Sequence, residues 1–147
     1  MRKPAIATLI VIAVIFAVNS AYSHCQVPCG IYDDDLVFKE MILDTTTIKK
    51  SIKEIEKLSA TKPINYNQII RWTEEKSRSA NSIINNASNY FLAQRIKTTD
   101  KNYIDELKLL HSIIVNAMKT KQSLDKLNIE NLSKNIKDFE SLYNSRQ

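Results

Sequence analysis

Nine consecutive residues, His24-Cys25-Gln26-Val27-Pro28-Cys29-Gly30-Ile31-Tyr32, hold both cysteines, one of the two histidines and the only glycine of a 147-residue chain. Imidazole and thiolate are the side chains that bind borderline and soft metal ions. The same two thiols, four positions apart, could instead close a disulfide. Which chemistry applies depends on what precedes His24.

Upstream, Arg2 and Lys3 lead into an apolar run over residues 5–18, followed by small and polar residues that end at Ser23. That order of charge, apolar run and small residues is the layout of a secretory signal peptide. A membrane span needs about 20 apolar residues, and this run is shorter, so a retained anchor is the poorer reading. Ala21 and Ser23 supply the small residues that a signal peptidase requires if the cut falls between Ser23 and His24. A lipoprotein cut before Cys25 would put His24 where a small residue is needed. The expected product is an exported protein, periplasmic or secreted, with no stable membrane anchor and with a free α-amino group on His24.

Such a terminus is rich in donors. His24 offers an amine and an imidazole, and Cys25 a thiolate and, once deprotonated, its amide nitrogen. Cys29 offers a second thiolate. The amine and amide nitrogens of neighbouring residues close a five-membered chelate ring, and Cys25 closes another. Cys29 completes a plane if the chain doubles back, a bend that Val27-Pro28 can supply, with Gly30 free to leave the turn through conformations closed to other residues. Two nitrogens and two sulfurs in a plane suit Ni(II) or Cu(II), whereas zinc prefers a tetrahedron. The competing reading is an exported, non-enzymatic helical module with a Cys25–Cys29 disulfide. Against it, so small a loop at a terminus would stabilise little, and a disulfide gives no reason for cleavage immediately before a histidine.

These residues resemble the N-terminal nickel hook of the nickel-containing superoxide dismutases, a pattern of His-Cys-x-x-Pro-Cys-Gly-x-Tyr at the mature N-terminus. Each of its fixed positions is present, as His24, Cys25, Pro28, Cys29, Gly30 and Tyr32. The resemblance implies an enzyme that converts superoxide to dioxygen and hydrogen peroxide with one nickel ion per subunit, cycling between Ni(II) and Ni(III). It implies as ligands the His24 amine and imidazole, the Cys25 amide and thiolate, and the Cys29 thiolate. It places the Tyr32 hydroxyl beside the open face of the metal, and Glu40, sixteen residues beyond His24, on the histidine ring as an orienting carboxylate. The family's aspartate within the hook is Gln26 here. The family also supplies an arginine to the glutamate from a neighbouring subunit of a homohexamer, for which Arg71 and Arg78 are candidates.

The rest of the chain has to carry this terminus. Net charge is +5, with lysines interspersed among carboxylates and no basic run interleaved with aromatics, which argues against nucleic acid as a partner. One glycine and three prolines are too few turn residues for a sheet protein of this length. Asp33, Asp34 and Asp35 suit a helix start. Phe38, Met41, Ile42, Ile48, Ile52, Ile55 and Leu58 then recur at helical spacing to about Ser59. A break at Pro63 precedes a second predicted helix from about Tyr66 to Lys97, with Ile69, Trp72, Ala80, Ile83, Ile84, Ala87 and Phe91 on one side. After a loop at Thr98 to Asp100, a third carries Ile104, Leu107, Leu110, Ile113, Ile114, Ala117 and Met118. Leu132, Ile136, Phe139 and Leu142 mark the fourth. The predicted fold is all-α: a hook over residues 24–32, then an antiparallel up-down four-helix bundle over residues 33–147. His111 is read as a packing or surface residue. The Asn86 and Asn131 glycosylation sequons fall inside helices and are read as chance matches.

Overall fold

The computed structural model describes residues 33–146. The leader and the hook, residues 1–32, lie outside the described residues. Four helical rods follow in chain order, without a strand among the described residues. They are α1 (Asp34–Ala60), α2 (Tyr66–Asn85, continued by Asn86–Arg95), α3 (Tyr103–Gln122) and α4 (Lys126–Asn144). Each helix packs against the next and α4 returns to α1, which closes the predicted antiparallel bundle.

Local chemistry accounts for the ends. The Asp33 carboxylate accepts the amide of Asp35 at 3.0 Å, while Asp34 and Asp35 place negative charge in the first turn of α1. Asn65 starts α2 by accepting the Gln68 amide at 3.1 Å, and Asp125 starts α4 by accepting the Leu127 amide at 2.9 Å. The C-terminus of α3 is closed by a side chain from another helix. Lys76, 2 % exposed, donates from Nζ to the carbonyls of Thr120, Lys121 and Ser123 at 2.6, 3.1 and 3.0 Å. Burial pushes its ammonium down from the usual lysine range. Three carbonyls at the negative end of a helix dipole offset that desolvation.

The core runs the length of the bundle. At the end where α1 begins, Phe38 of α1, Phe91 of α2 and Phe139 of α4 are fully buried against one another. Phe91 lies 4.6 Å from Phe38 and 5.0 Å from Phe139, the latter ring edge-on. Burial of each ring contributes about 1.5–3 kcal/mol. Met41, Ile48, Ile52, Ile83, Leu110, Ile113, Leu132 and Ile136 continue the core along the axis. The buried hydroxyls of Thr45, Ser51 and Thr120 bond carbonyls of their own helices, at 2.7, 2.9 and 2.7 Å.

Two details differ from the sequence expectation. Ile104 and Met118 are exposed, at 58 % and 48 %. The inward stripe of α3 is Glu106, Leu110, Ile113, Ala117 and Thr120; Met118 is turned a further 100° from Ala117, and Ile104 lies some 200° behind Glu106. The second helix also does not run evenly to Lys97. From Asn86 to Arg95 it widens into π-helical turns, closed by the Ile96 amide on the Phe91 carbonyl, five residues back, at 3.1 Å. Wider turns stack residues five apart, so Arg95 comes to lie beside Tyr90.

Lys76→Met keeps the stem but strands three carbonyls. It is expected to cost about 1.5–3 kcal/mol, read by urea unfolding followed by circular dichroism; unchanged stability would show that water caps α3 equally well.

Candidate metal centre

Of the residues singled out by the sequence, His24, Cys25, Pro28, Cys29, Gly30 and Tyr32 lie outside the described residues. Glu40 is described: it is exposed on α1, between Leu36 and Leu43, and forms no ion pair among the described residues. Neither candidate arginine meets it within the chain. Asp44, one turn past Glu40, faces the hydroxyls of Ser79 and Ser82 on α2; burial raises its carboxyl above the usual range and the two hydroxyls partly offset this. At 1.5 Å per residue this register puts Arg71 about 20 Å from Glu40 along the bundle axis. Arg78 is closer, but its guanidinium is paired with Glu75 on its own helix, on the side away from Glu40. Arg71 and Arg78 instead line a groove of about 510 Å³ between α1 and α2, where Lys50 Nζ lies 5.5 Å from the Trp72 ring. Trp72 is therefore half-buried in a groove wall rather than in the core.

The bundle itself offers little to a metal. Among the described residues no three His, Cys, Asp or Glu side chains are grouped to hold one. His111 is exposed on α3, as expected for a surface residue. Asn86 and Asn131 lie within helices, also as expected. Thiolate ligands can come only from Cys25 and Cys29, the two cysteines of the chain.

What the bundle does offer is a built platform at the point where the hook joins it. Asp34, two residues after Tyr32, is met by side chains from two other helices. Tyr143 of α4 donates to Asp34 Oδ2 at 2.7 Å, and Tyr90 of α2 donates to Oδ1. Arg95 Nε forms an ion pair with Oδ1 at 2.9 Å, its N–H aimed off a linear hydrogen bond. Arg95 Nη2 also donates to the Tyr90 hydroxyl at 2.8 Å, and its guanidinium lies 4.8 Å from the Tyr90 ring. Burial and the neighbouring Asp34 carboxylate both raise the Tyr90 and Tyr143 hydroxyls above the usual tyrosine range, so both remain protonated donors at neutral pH.

A second ion cluster lies behind the first. Arg146, just past α4, engages both oxygens of Glu106, which is fully buried at the start of α3. The same guanidinium reaches Asp100 at 3.1 Å and the Arg95 carbonyl at 3.2 Å. Burial pulls the Arg146 guanidinium down, but Glu106 and Asp100 outweigh it and hold it above the ordinary arginine value. All four helices thus converge on the end from which residues 24–32 depart.

Sequence reasoning reached Asp34 only as part of an acidic helix start, and did not reach Tyr90, Arg95, Glu106, Tyr143 or Arg146. Glu106 left a trace, a carboxylate one turn ahead of the core residue Leu110. Arg95 left none, because its facing depends on the π turns.

The family model described as nickel-containing superoxide dismutase matches the chain over residues 19–147, the hook and the whole bundle together. No curated protein and no solved structure matches it.

Arg146→Ala strands the buried Glu106 carboxylate. A loss of about 3–5 kcal/mol in unfolding free energy is expected, and a loss below 1 kcal/mol would mean that water reaches Glu106 once the arginine is gone.

Proposed function

Because the chain belongs to the nickel-containing superoxide dismutase family, we propose that its nickel is held at the mature N-terminus, by the His24 amine and imidazole, the Cys25 amide and thiolate, and the Cys29 thiolate. The family makes the protein a superoxide dismutase with a nickel cofactor. The observation that carries the site assignment is the coincidence of a family match across residues 19–147 with a complete hook motif at 24–32.

The donor set fits the metal. Two nitrogens and two sulfurs suit square-planar Ni(II), and these sulfurs are the sole cysteines of the chain. Bound nickel supplies one-electron exchange between Ni(II) and Ni(III), so that one superoxide is oxidised to dioxygen and a second, with two protons, is reduced to hydrogen peroxide. The residues set the conditions for that exchange. Two thiolates and a deprotonated amide are anionic donors that would favour the higher oxidation state, and the His24 imidazole would add a further nitrogen donor. Removal of residues 1–23 during export frees the His24 amine that the ligand set requires. The Tyr32 hydroxyl orders water or the incoming anion beside the metal. Glu40, exposed and without an ion pair among the described residues, orients the His24 ring. The roughly 20 Å from Arg71 to Glu40 within one chain supports an arginine supplied by another subunit, consistent with a homohexamer.

An alanine inserted before His24 is expected to abolish dismutation while the bundle melts unchanged, since it displaces the amine and the imidazole together; full activity would remove the terminal amine from the ligand set. Cys29→Ser is expected to lose nickel by elemental analysis yet melt within a few degrees of the unaltered protein. Collapse of the fold would instead identify Cys29 as structural. Native mass spectrometry of protein exported from nickel-supplied cells should show a chain beginning at His24, one nickel per chain and a six-chain assembly.

A further inference from the structure

The helix that follows the hook has few ways to be held at its start. Among the described residues the Asp33 carboxylate bonds only the Asp35 amide, Asp33 and Asp35 are exposed, and Leu36 is 49 % exposed. The first apolar anchors of α1 are Val37 and Phe38, a full turn further on. Ahead of them, Asp34 is the one described residue whose side chain bonds other helices. Left to its N-cap and dipole, the first turn of a helix frays. Fraying matters here because the tether is short. Asp34 lies five residues after Cys29, a reach of at most about 18 Å. Loss of one turn would nearly double the free chain between the second thiolate and the bundle.

We propose that Asp34 is a positioning residue for the metal centre: its carboxylate, gripped by Tyr90, Arg95 and Tyr143, fixes the place on the bundle end from which the ligand-bearing segment departs. The inference rests on the ligand assignment above. A purely stabilising role explains the grip poorly. Desolvating a carboxylate and a guanidinium offsets much of their attraction, and replacing such a pair as a whole by apolar residues of similar volume is often neutral or stabilising. What an apolar contact would not supply is direction. Oδ2 takes one hydroxyl and Oδ1 another hydroxyl and the guanidinium, from two helices whose own positions are set by the phenylalanine core beneath. The π turns of Asn86–Arg95 are what bring Arg95 to the same face as Tyr90, so the clamp is prepared by an irregularity in the neighbouring helix.

The test separates position from stability. Asp34→Leu removes the directed bonds and keeps an apolar filler; Tyr143→Phe removes one donor and serves if the leucine variant does not fold. Three readings are compared with the unaltered holoenzyme: melting of the nickel-free protein, the rate of nickel transfer to excess EDTA, and the electron paramagnetic resonance spectrum of the nickel once oxidised to Ni(III). Arg95 is 29 % exposed, so water can meet its guanidinium once the carboxylate is gone. Expected for Asp34→Leu is therefore a melting temperature within a few degrees of the unaltered protein, nickel transfer at least tenfold faster, and a broadened spectrum, while Tyr143→Phe should speed nickel transfer about threefold and broaden the spectrum less. Nickel transfer and spectrum unchanged in a folded variant would overturn the proposal, whatever happens to melting. If Cys29→Ser retained its nickel, the ligand assignment would fall and the clamp with it, whereas loss of nickel in Cys29→Ser with unaltered clamp variants would sink the clamp alone.

Discussion

A carboxylate drawn partly out of water at the start of a helix has to be met by donors, and in this protein none of the tertiary donors comes from its own helix. Asp34 takes a hydroxyl from α4 and a hydroxyl and a guanidinium from α2. Each donor is already committed elsewhere. Tyr143 packs its ring on Phe38, Phe91 and Phe139, Tyr90 stands edge-on to Phe91, and Arg95 lies over Tyr90. The carboxylate can therefore be satisfied in one arrangement of the helices, the one in which the aromatic core is also closed. Arg146 extends the constraint by linking Glu106 at the start of α3 to Asp100 and to the last carbonyl of the π turns.

The two ends of the bundle solve different problems. Away from the hook, a single buried ammonium closes α3, and its three carbonyl partners are backbone atoms. At the hook end, the polar groups are side chains of opposite charge from three helices, the loop before α3 and the segment just past α4. Such networks contribute direction more than net stability, since desolvation offsets their attraction. Directed bonds are found where the chain must hand over from scaffold to chemistry.

Chemistry and scaffold are separated along the sequence to an unusual degree. The bundle has no cysteine and, among the described residues, no group of three metal-binding side chains. On the ligand set proposed above, the redox reaction of a nickel superoxide dismutase falls to nine residues ahead of α1, with Glu40 of α1 as their proposed neighbour. This division explains why the motif was so readable: a terminal chelate is built from neighbours in sequence, and its ligands need no fold to bring them together. The helices were readable for a similar reason. Their apolar spacing is local, and Phe38, Met41, Ile83, Leu110, Ile136 and Phe139 are buried where that spacing put them.

What resisted a reading from sequence was set by rotation. Ile104 and Met118 fit a helical pattern on α3 but fall outside a stripe that includes the polar Glu106 and Thr120, and only the Arg146 pairing explains why a glutamate belongs there. The π turns that turn Arg95 toward Tyr90 have no marker among the residue types of Asn86–Arg95, where each hydrogen bond spans one residue more than in an α-helix. By itself the sequence determined the hook motif, the four helices and the family, all of which rest on residues close together in the chain. The tertiary structure decided that Asp34, read as one of three acidic residues at a helix start, faces inward to donors 56, 61 and 109 residues away. Contacts at that separation depend on the relative rotation of whole helices, which no local pattern encodes.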